Sequence, residues 1–456
     1  MLRIRILQSL LIGIAILTWS MPNNQLINLL PAIYLYTFFV IFLSANAGGN
    51  NHKVLSILTP SSLLPLYVSM FFCLGAFAFK YGYVNFRFAN MGDFYLIENL
   101  GQITSYIILA IFISLGANVL GKRQISLHDS ESLPKKENLK YSSFYIAIPL
   151  IAVSILYQIV LPFSNANISS LVAYFSMVEI AYRMKRNEFE YRYLIYLVLV
   201  LILFVFFYKD RRTLIFFMFS LYITERAFAP SGGNQWRRLL MYTISAALIF
   251  VGVIGMSITR GVGNYNILKP TDSIAYIERY LKADWAATQL FHNFETTQTL
   301  FHTYNAIDRT ESNSSYRFGS TIIKVLFLPI PRSAFPNLKP DSMVDAYTKE
   351  NYPVFRSGGG SFVPNFYAEM FWNFGFLGGL LSTGIFLVIL DRLYYSLLHT
   401  TLNSSNQYRV FFISTMSFVP IYFRGSGLEV FTLIIIVFFS LTKIYNFSIS
   451  KIINSS

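Results

Sequence analysis

Hydrophobic positions in this chain run in long uninterrupted blocks rather than alternating with polar ones. Uniformly apolar runs of roughly 20 residues predict helices that cross a bilayer, and the absence of alternation argues against a membrane β-barrel. About twelve such runs are present: Ile4–Ser20, Leu26–Ser44, Ser61–Phe79, Ile103–Leu120, Phe144–Pro162, Ile168–Met184, Tyr191–Tyr208, Thr213–Ala229, Leu239–Ile258, Phe366–Leu390, Val410–Phe423 and Leu428–Tyr445. The eleventh is short and contains Pro420. The expected fold is an all-α polytopic membrane protein with nine helices in residues 1–258, a loop at 259–365, and three helices in 366–456.

Composition agrees with that pattern. Of 456 residues, 54% are hydrophobic and 13% are Asp, Glu, Lys or Arg, about half the usual share of charge. Such a chain cannot clothe a soluble surface of this size. The net charge of +14 fits loops facing anionic lipid, and no basic tail points to nucleic acid. The single cysteine, Cys73, lies in an apolar run, which rules out an intrachain disulfide and a cysteine-based metal site. The opening Met1-Leu2-Arg3-Ile4-Arg5 and the apolar run behind it read as a retained first helix.

With the amino terminus in the cytoplasm, roughly 19 Lys and Arg fall on cytoplasmic segments and roughly 6 on short outer loops. Both termini are then inside. The 259–365 segment is then outside, with Asp272–Ile307 expected to be helical. A long structured loop in a bundle is usually functional.

Arginines on the outer face are informative because the distribution of positive charge runs against them. Lys209-Asp210-Arg211-Arg212, Thr259-Arg260-Gly261 and Arg424-Gly425-Ser426-Gly427 all map to that face. A guanidinium offers paired donors to a phosphate, and adjacent glycine lets the backbone approach a bulky anion. Arg211, Arg212, Arg260 and Arg424 are therefore candidate ligands for a lipid-linked diphosphate; snorkelling or ion pairs with Asp210 and Glu429 would also explain them.

Glu369, at the outer start of the tenth run, is a candidate acid–base group, because an ionisable side chain entering an apolar helix is costly. His292 and His302 in the outer loop could also accept a proton from a sugar hydroxyl. Glu179 reads as structural, and Gly375, Gly378 and Gly379 read as helix-packing positions. Tyr347, Tyr352, Tyr367 and Trp372 could stack on sugar rings or form an interfacial belt. No nucleotide-binding fingerprint, HExxH or Asp-x-Asp pair occurs, so neither a metal nor another cofactor is expected.

Leu328-Pro329-Ile330-Pro331-Arg332-Ser333, followed by Pro364-Asn365-Phe366-Tyr367-Ala368-Glu369 and Asn373-Phe374-Gly375, resembles the Wzy-type O-antigen (oligosaccharide repeat-unit) polymerases. The outer arginines look like that family's periplasmic arginines. The resemblance implies a GT-C-like glycosyltransferase in the bacterial inner membrane whose active site faces the periplasm. It further implies that glycan passes from undecaprenyl diphosphate to the non-reducing end of a second lipid-linked repeat unit, with a chain-length regulator as a possible partner. Arg317, Arg332 and Arg356 would then be loop contacts to the glycan. An O-antigen ligase, which shares the donor but uses lipid A-core as acceptor, and a non-enzymatic flippase of lipid-linked oligosaccharide stay open as alternatives.

Overall fold

The computed structural model describes residues 2–46, 58–85, 88–121, 142–160, 166–185, 216–217, 219–224, 278, 282, 286–293, 295–327, 341–402, 406–426 and 428–455. Among these residues the regular structure is entirely helical. The main helices are α1 (Leu2–Trp19), α2 (Asn23–Asn46), α3 (Pro60–Lys80), α4 (Leu100–Gly121), α5 (Ser142–Val160), α6 (Ala166–Lys185), α7 (Ala286–Asn293), α8 (Thr296–Asn313), α9 (Met343–Asn351), α10 (Phe366–Leu402), α11 (Asn406–Ile421) and α12 (Leu428–Ser455).

Five segments are long and apolar enough to cross a membrane: Asn23–Ala45, Pro60–Lys80, Leu100–Gly121, Phe366–Thr401 and Val430–Ile449. Shorter apolar helices cover Ile6–Trp19 and Ile146–Tyr157. The protein is membrane-embedded. The expected spans Tyr191–Tyr208 and Leu239–Ile258, and most of Thr213–Ala229, lie outside the described residues.

Two compact units divide the chain. The first contains Met1–Arg123, Leu281–Tyr395 and Val419–Thr432. Its frame is α1 to α4, into which α8 is docked. Gly75 makes this possible: a Cβ there would lie 2.6 Å from the Thr296 carbonyl oxygen of α8. Tyr304 of α8 then bonds Tyr34 of α2 at 2.5 Å and Thr104 of α4 at 2.9 Å, so a polar helix is anchored among apolar ones by buried hydroxyls. Asp391 caps the start of α3, accepting from the Ser61 backbone N–H at 3.0 Å and from its hydroxyl.

Helix α10 is not a straight rod. Gly375 has φ 69° and ψ −166°, which ends one helical piece (366–374) and starts another (376–402). In a continuous helix Phe366 and Phe386 would be about 30 Å apart. Their ring centroids are 5.9 Å apart. The chain therefore folds back at Gly375, and 366–374 is a half-helix returning along 376–386. Gly379 permits the close return, since a Cβ there would meet Phe371 Cα at 3.1 Å and Tyr106 Oη at 2.7 Å. This corrects the reading of Gly375 as a helix-packing residue, and of Phe366–Leu390 as one simple span; an apolar run carries no signal for a reversal. Carbonyls released by the break find new donors: Trp372 O accepts from Arg317 N at 2.9 Å, and Asn373 O from Phe318 N at 3.0 Å.

The second unit comprises Gln124–Tyr280, Ser396–Phe418 and Leu433–Ser456. Here α5 packs on α6, and Tyr174 of α6 bonds Ser417 at 2.5 Å and Phe216 O at 3.1 Å. Glu179 pairs with Arg183 at 3.0 Å, both buried, as its structural reading anticipates. Arg183 and Arg409 are both buried.

Candidate functional site

The half-helix 366–374 organises the candidate site in the first unit. Asn365 is its cap, with Oδ1 accepting from Ala368 N at 3.0 Å, and its own N–H donates to Thr303 Oγ1 at 3.1 Å. Glu369, one turn on, is buried. Thr321 Oγ1 donates to Glu369 Oε1 at 2.8 Å, while Asn373 Nδ2 donates to Thr321 Oγ1 and to Glu369 O, each at 2.8 Å. Asn373 Oδ1 accepts from Gly319 N at 2.9 Å. The carboxyl is thus held by a hydroxyl that an amide in turn fixes, the arrangement expected of a positioned acid–base group. Thr321, Asn365 and Asn373 carried no role in the sequence reading. Asn365 and Asn373 stand in the segments that carry the family resemblance, and the four-residue spacing from Glu369 to Asn373 places those two on one helix face.

Arg424 sits in a five-residue π-helical turn, Tyr422–Ser426, between α11 and α12. Its neighbour Gly425 has φ 103°, and a Cβ there would overlap the Pro364 carbonyl oxygen. Glycine is required for this close approach, which sets the Arg424 turn against the entry to the half-helix. Phe366 packs on Tyr422 at 5.6 Å and on Phe423 at 6.3 Å. Arg424 forms an ion pair with Glu295; the Glu429 side chain lies outside the described residues. Glu295 sits between α7 and α8 with φ 59°, three residues after His292, and Gln298 Nε2 lies 3.3 Å from His292 Nδ1. Arg424, Glu295, His292 and the half-helix carrying Glu369 therefore belong to one connected assembly.

His302 is also nearby but is not a solvated loop histidine. It stacks on Phe362 at 4.1 Å, and its Nδ1 lies 3.0 Å from Tyr347 Oη, which also accepts from Asn305 Nδ2 at 2.8 Å. Burial pulls its pKa down to about 3, so the ring is neutral at physiological pH and a weak base. Among the described residues, no hydrogen-bond partner faces its buried Nε2 or the buried Asn365 Nδ2.

The loop arginines are occupied. Arg317 pairs with Glu350 and lies over the Trp372 ring at 5.0 Å, and Arg356 pairs with Asp345. Tyr347, Tyr367 and Trp372 are buried in packing and offer no ring face to a sugar, a correction to that reading; Tyr352 is partly accessible. Arg211, Arg212, Arg260 and Arg332 lie outside the described residues, as does the Leu328–Pro340 element. Among the described residues, no three His, Cys, Asp or Glu side chains converge as a metal site. Comparison of the chain with protein-family models, curated proteins and solved structures returned no match.

Proposed function

We propose that the protein is an O-antigen-type polymerase, a polytopic glycosyltransferase of about twelve spans and GT-C-like architecture in the bacterial inner membrane. Both termini face the cytoplasm and the site faces the periplasm in this reading. The observation that carries it is the seating of the Arg424-Gly425 turn against Pro364, at the amino end of a half-helix bearing a positioned, buried Glu369.

The amino end of a helix carries partial positive charge, and a guanidinium beside it adds a full one. Broken helices that direct such ends into a bundle recur where membrane proteins bind anionic groups. Arg424, joined by Arg211, Arg212 and Arg260, holds the diphosphate of an undecaprenyl-linked donor and offsets charge as it leaves. The acceptor hydroxyl oxygen forms a bond to the anomeric carbon, the carbon–oxygen bond to the diphosphate breaks, and the hydroxyl proton passes to Glu369 or His292. Substrate diphosphate exchanges with Glu295 for the guanidinium. His302, neutral and oriented by Tyr347, serves as a positioning group. A chain-length regulator is the expected protein partner.

The test is the lipopolysaccharide gel profile of a strain deleted for the gene and then complemented. A core bearing one repeat unit without a ladder is the expected result. Bare core would point to the ligase or the flippase, and an unchanged ladder would overturn the reading.

A further inference from the structure

A recess of mixed polar and apolar lining lies in the first unit, where the start of α2 meets the end of α3. It has a volume of about 440 Å³ and is lined by Asn23, Asn24, Asn28, Lys80 and Tyr95 together with apolar Ile27 and Phe79. That volume falls within the roughly 300–1,000 Å³ of small-molecule sites.

Its polar groups are only partly used by the protein. Asn24 Oδ1 accepts from Gln25 N at 2.8 Å, Asn28 Nδ2 donates to Asn24 O at 3.0 Å, and Lys80 Nζ donates to Asn28 O at 3.2 Å. The Asn24 amide N–H groups, Asn28 Oδ1 and two Lys80 N–H groups remain outside the hydrogen bonds formed among the described residues. A recess offering amide and ammonium donors and an amide acceptor, with no carboxylate in its lining, matches sugar hydroxyls.

Aromatic rings continue from it. Phe77 and Tyr81 have centroids 4.5 Å apart, and Tyr81 and Tyr83 lie 6.5 Å apart at 29°. Tyr83 stacks on Phe291 at 6.0 Å with the planes at 8°. Tyr81 is 55% exposed and Tyr83 37% exposed, so this ledge presents ring surface, unlike the buried tyrosines around Glu369. Phe291 directly precedes His292, and Glu295 three residues later holds Arg424.

We propose that this recess and the Tyr81–Tyr83–Phe291 ledge form a carbohydrate subsite that holds sugar rings of the glycan away from the Arg424 and Glu369 assembly. The ring faces would stack on the sugars' C–H surfaces while Asn24, Asn28 and Lys80 bond their hydroxyls. This inference rests on the glycosyltransferase reading for the identity of its ligand.

The test uses the full-length protein in phosphatidylethanolamine–phosphatidylglycerol nanodiscs, titrated with acid-released repeat-unit oligosaccharide of the host strain. Asn24→Ala/Asn28→Ala and Tyr83→Ala should each weaken binding by tenfold or more, with the thermal midpoint unchanged and Tyr83→Trp retaining affinity. In cells the same variants should shift the ladder to shorter chains without abolishing it. Unchanged affinity and ladder in both variants would overturn the subsite while leaving the polymerase reading intact. Loss of bound phosphatidylglycerol without loss of glycan binding would assign the recess to a lipid headgroup and overturn it equally. A ladder that survives gene deletion would remove the polymerase reading itself.

Discussion

Gly375→Ala gives opposite answers for a folded-back α10 and a straight one. In a straight helix, alanine is better than glycine by about 1 kcal/mol, so the substitution would be neutral or stabilising. At φ 69° and ψ −166° an L-residue sits in a region essentially reserved for glycine, at a cost of about 1–3 kcal/mol. The new methyl would also lie 3.2 Å from Tyr316 Cε1, closer than ordinary contact, which places the expected loss in the upper part of that range. The folding equilibrium should therefore shift by roughly 30- to 150-fold toward the unfolded state. Equilibrium unfolding in mixed dodecyl maltoside–SDS micelles would measure it, with ladder formation in cells as a parallel readout. A variant as stable as wild type, or more so, would refute the reversal at Gly375 and with it the placement of Glu369.

Three further expectations follow from the same geometry. In a Cys73→Ser background, Phe366→Cys with Phe386→Cys should join through a short bifunctional maleimide, because their rings are 5.9 Å apart; no cross-link would mean a straight helix. Arg424→Lys keeps the charge but loses the guanidinium fork, so ladder synthesis should fall at least tenfold, and full activity would sink the paired-donor role. Because the folded-state pKa of His302 is depressed to about 3, no cost arises above its unfolded value near 6.5. Between those values the unfolded chain takes up a proton that the folded one refuses, and stability falls by up to about 1.4 kcal/mol per pH unit. His302→Phe should flatten that acid limb of the thermal midpoint; an unchanged pH profile would refute the buried neutral imidazole.

What could be read in the sequence was whatever depends on neighbours along the chain. Apolar runs located the helices from α1 to α6 and from α10 to α12, and Asp272–Ile307 foretold the helical character now seen in α7 and α8. The start of that stretch, with Ile274, Ile277, Tyr280, Leu281 and Trp285, lies outside the described residues. Arg424 and Glu369 stood out because a charge among apolar residues is rare enough to require a reason.

Pairings between distant segments had no such signal. That Arg424 meets Glu295, that Thr321 and Asn373 hold Glu369, and that Arg317 and Arg356 are bound to Glu350 and Asp345 all depend on which segments pack together. Burial is likewise a property of the packed state, which is why His302 looked like a solvated base and Tyr347 and Trp372 like sugar platforms. The sequence by itself determined that this chain lies in a membrane as helices, since the water-to-lipid transfer of twenty apolar residues needs no partner. Only the tertiary structure decided that α10 turns back at Gly375, because a glycine in an apolar run suits a close helix contact and a reversal equally, and the surrounding packing selects between them.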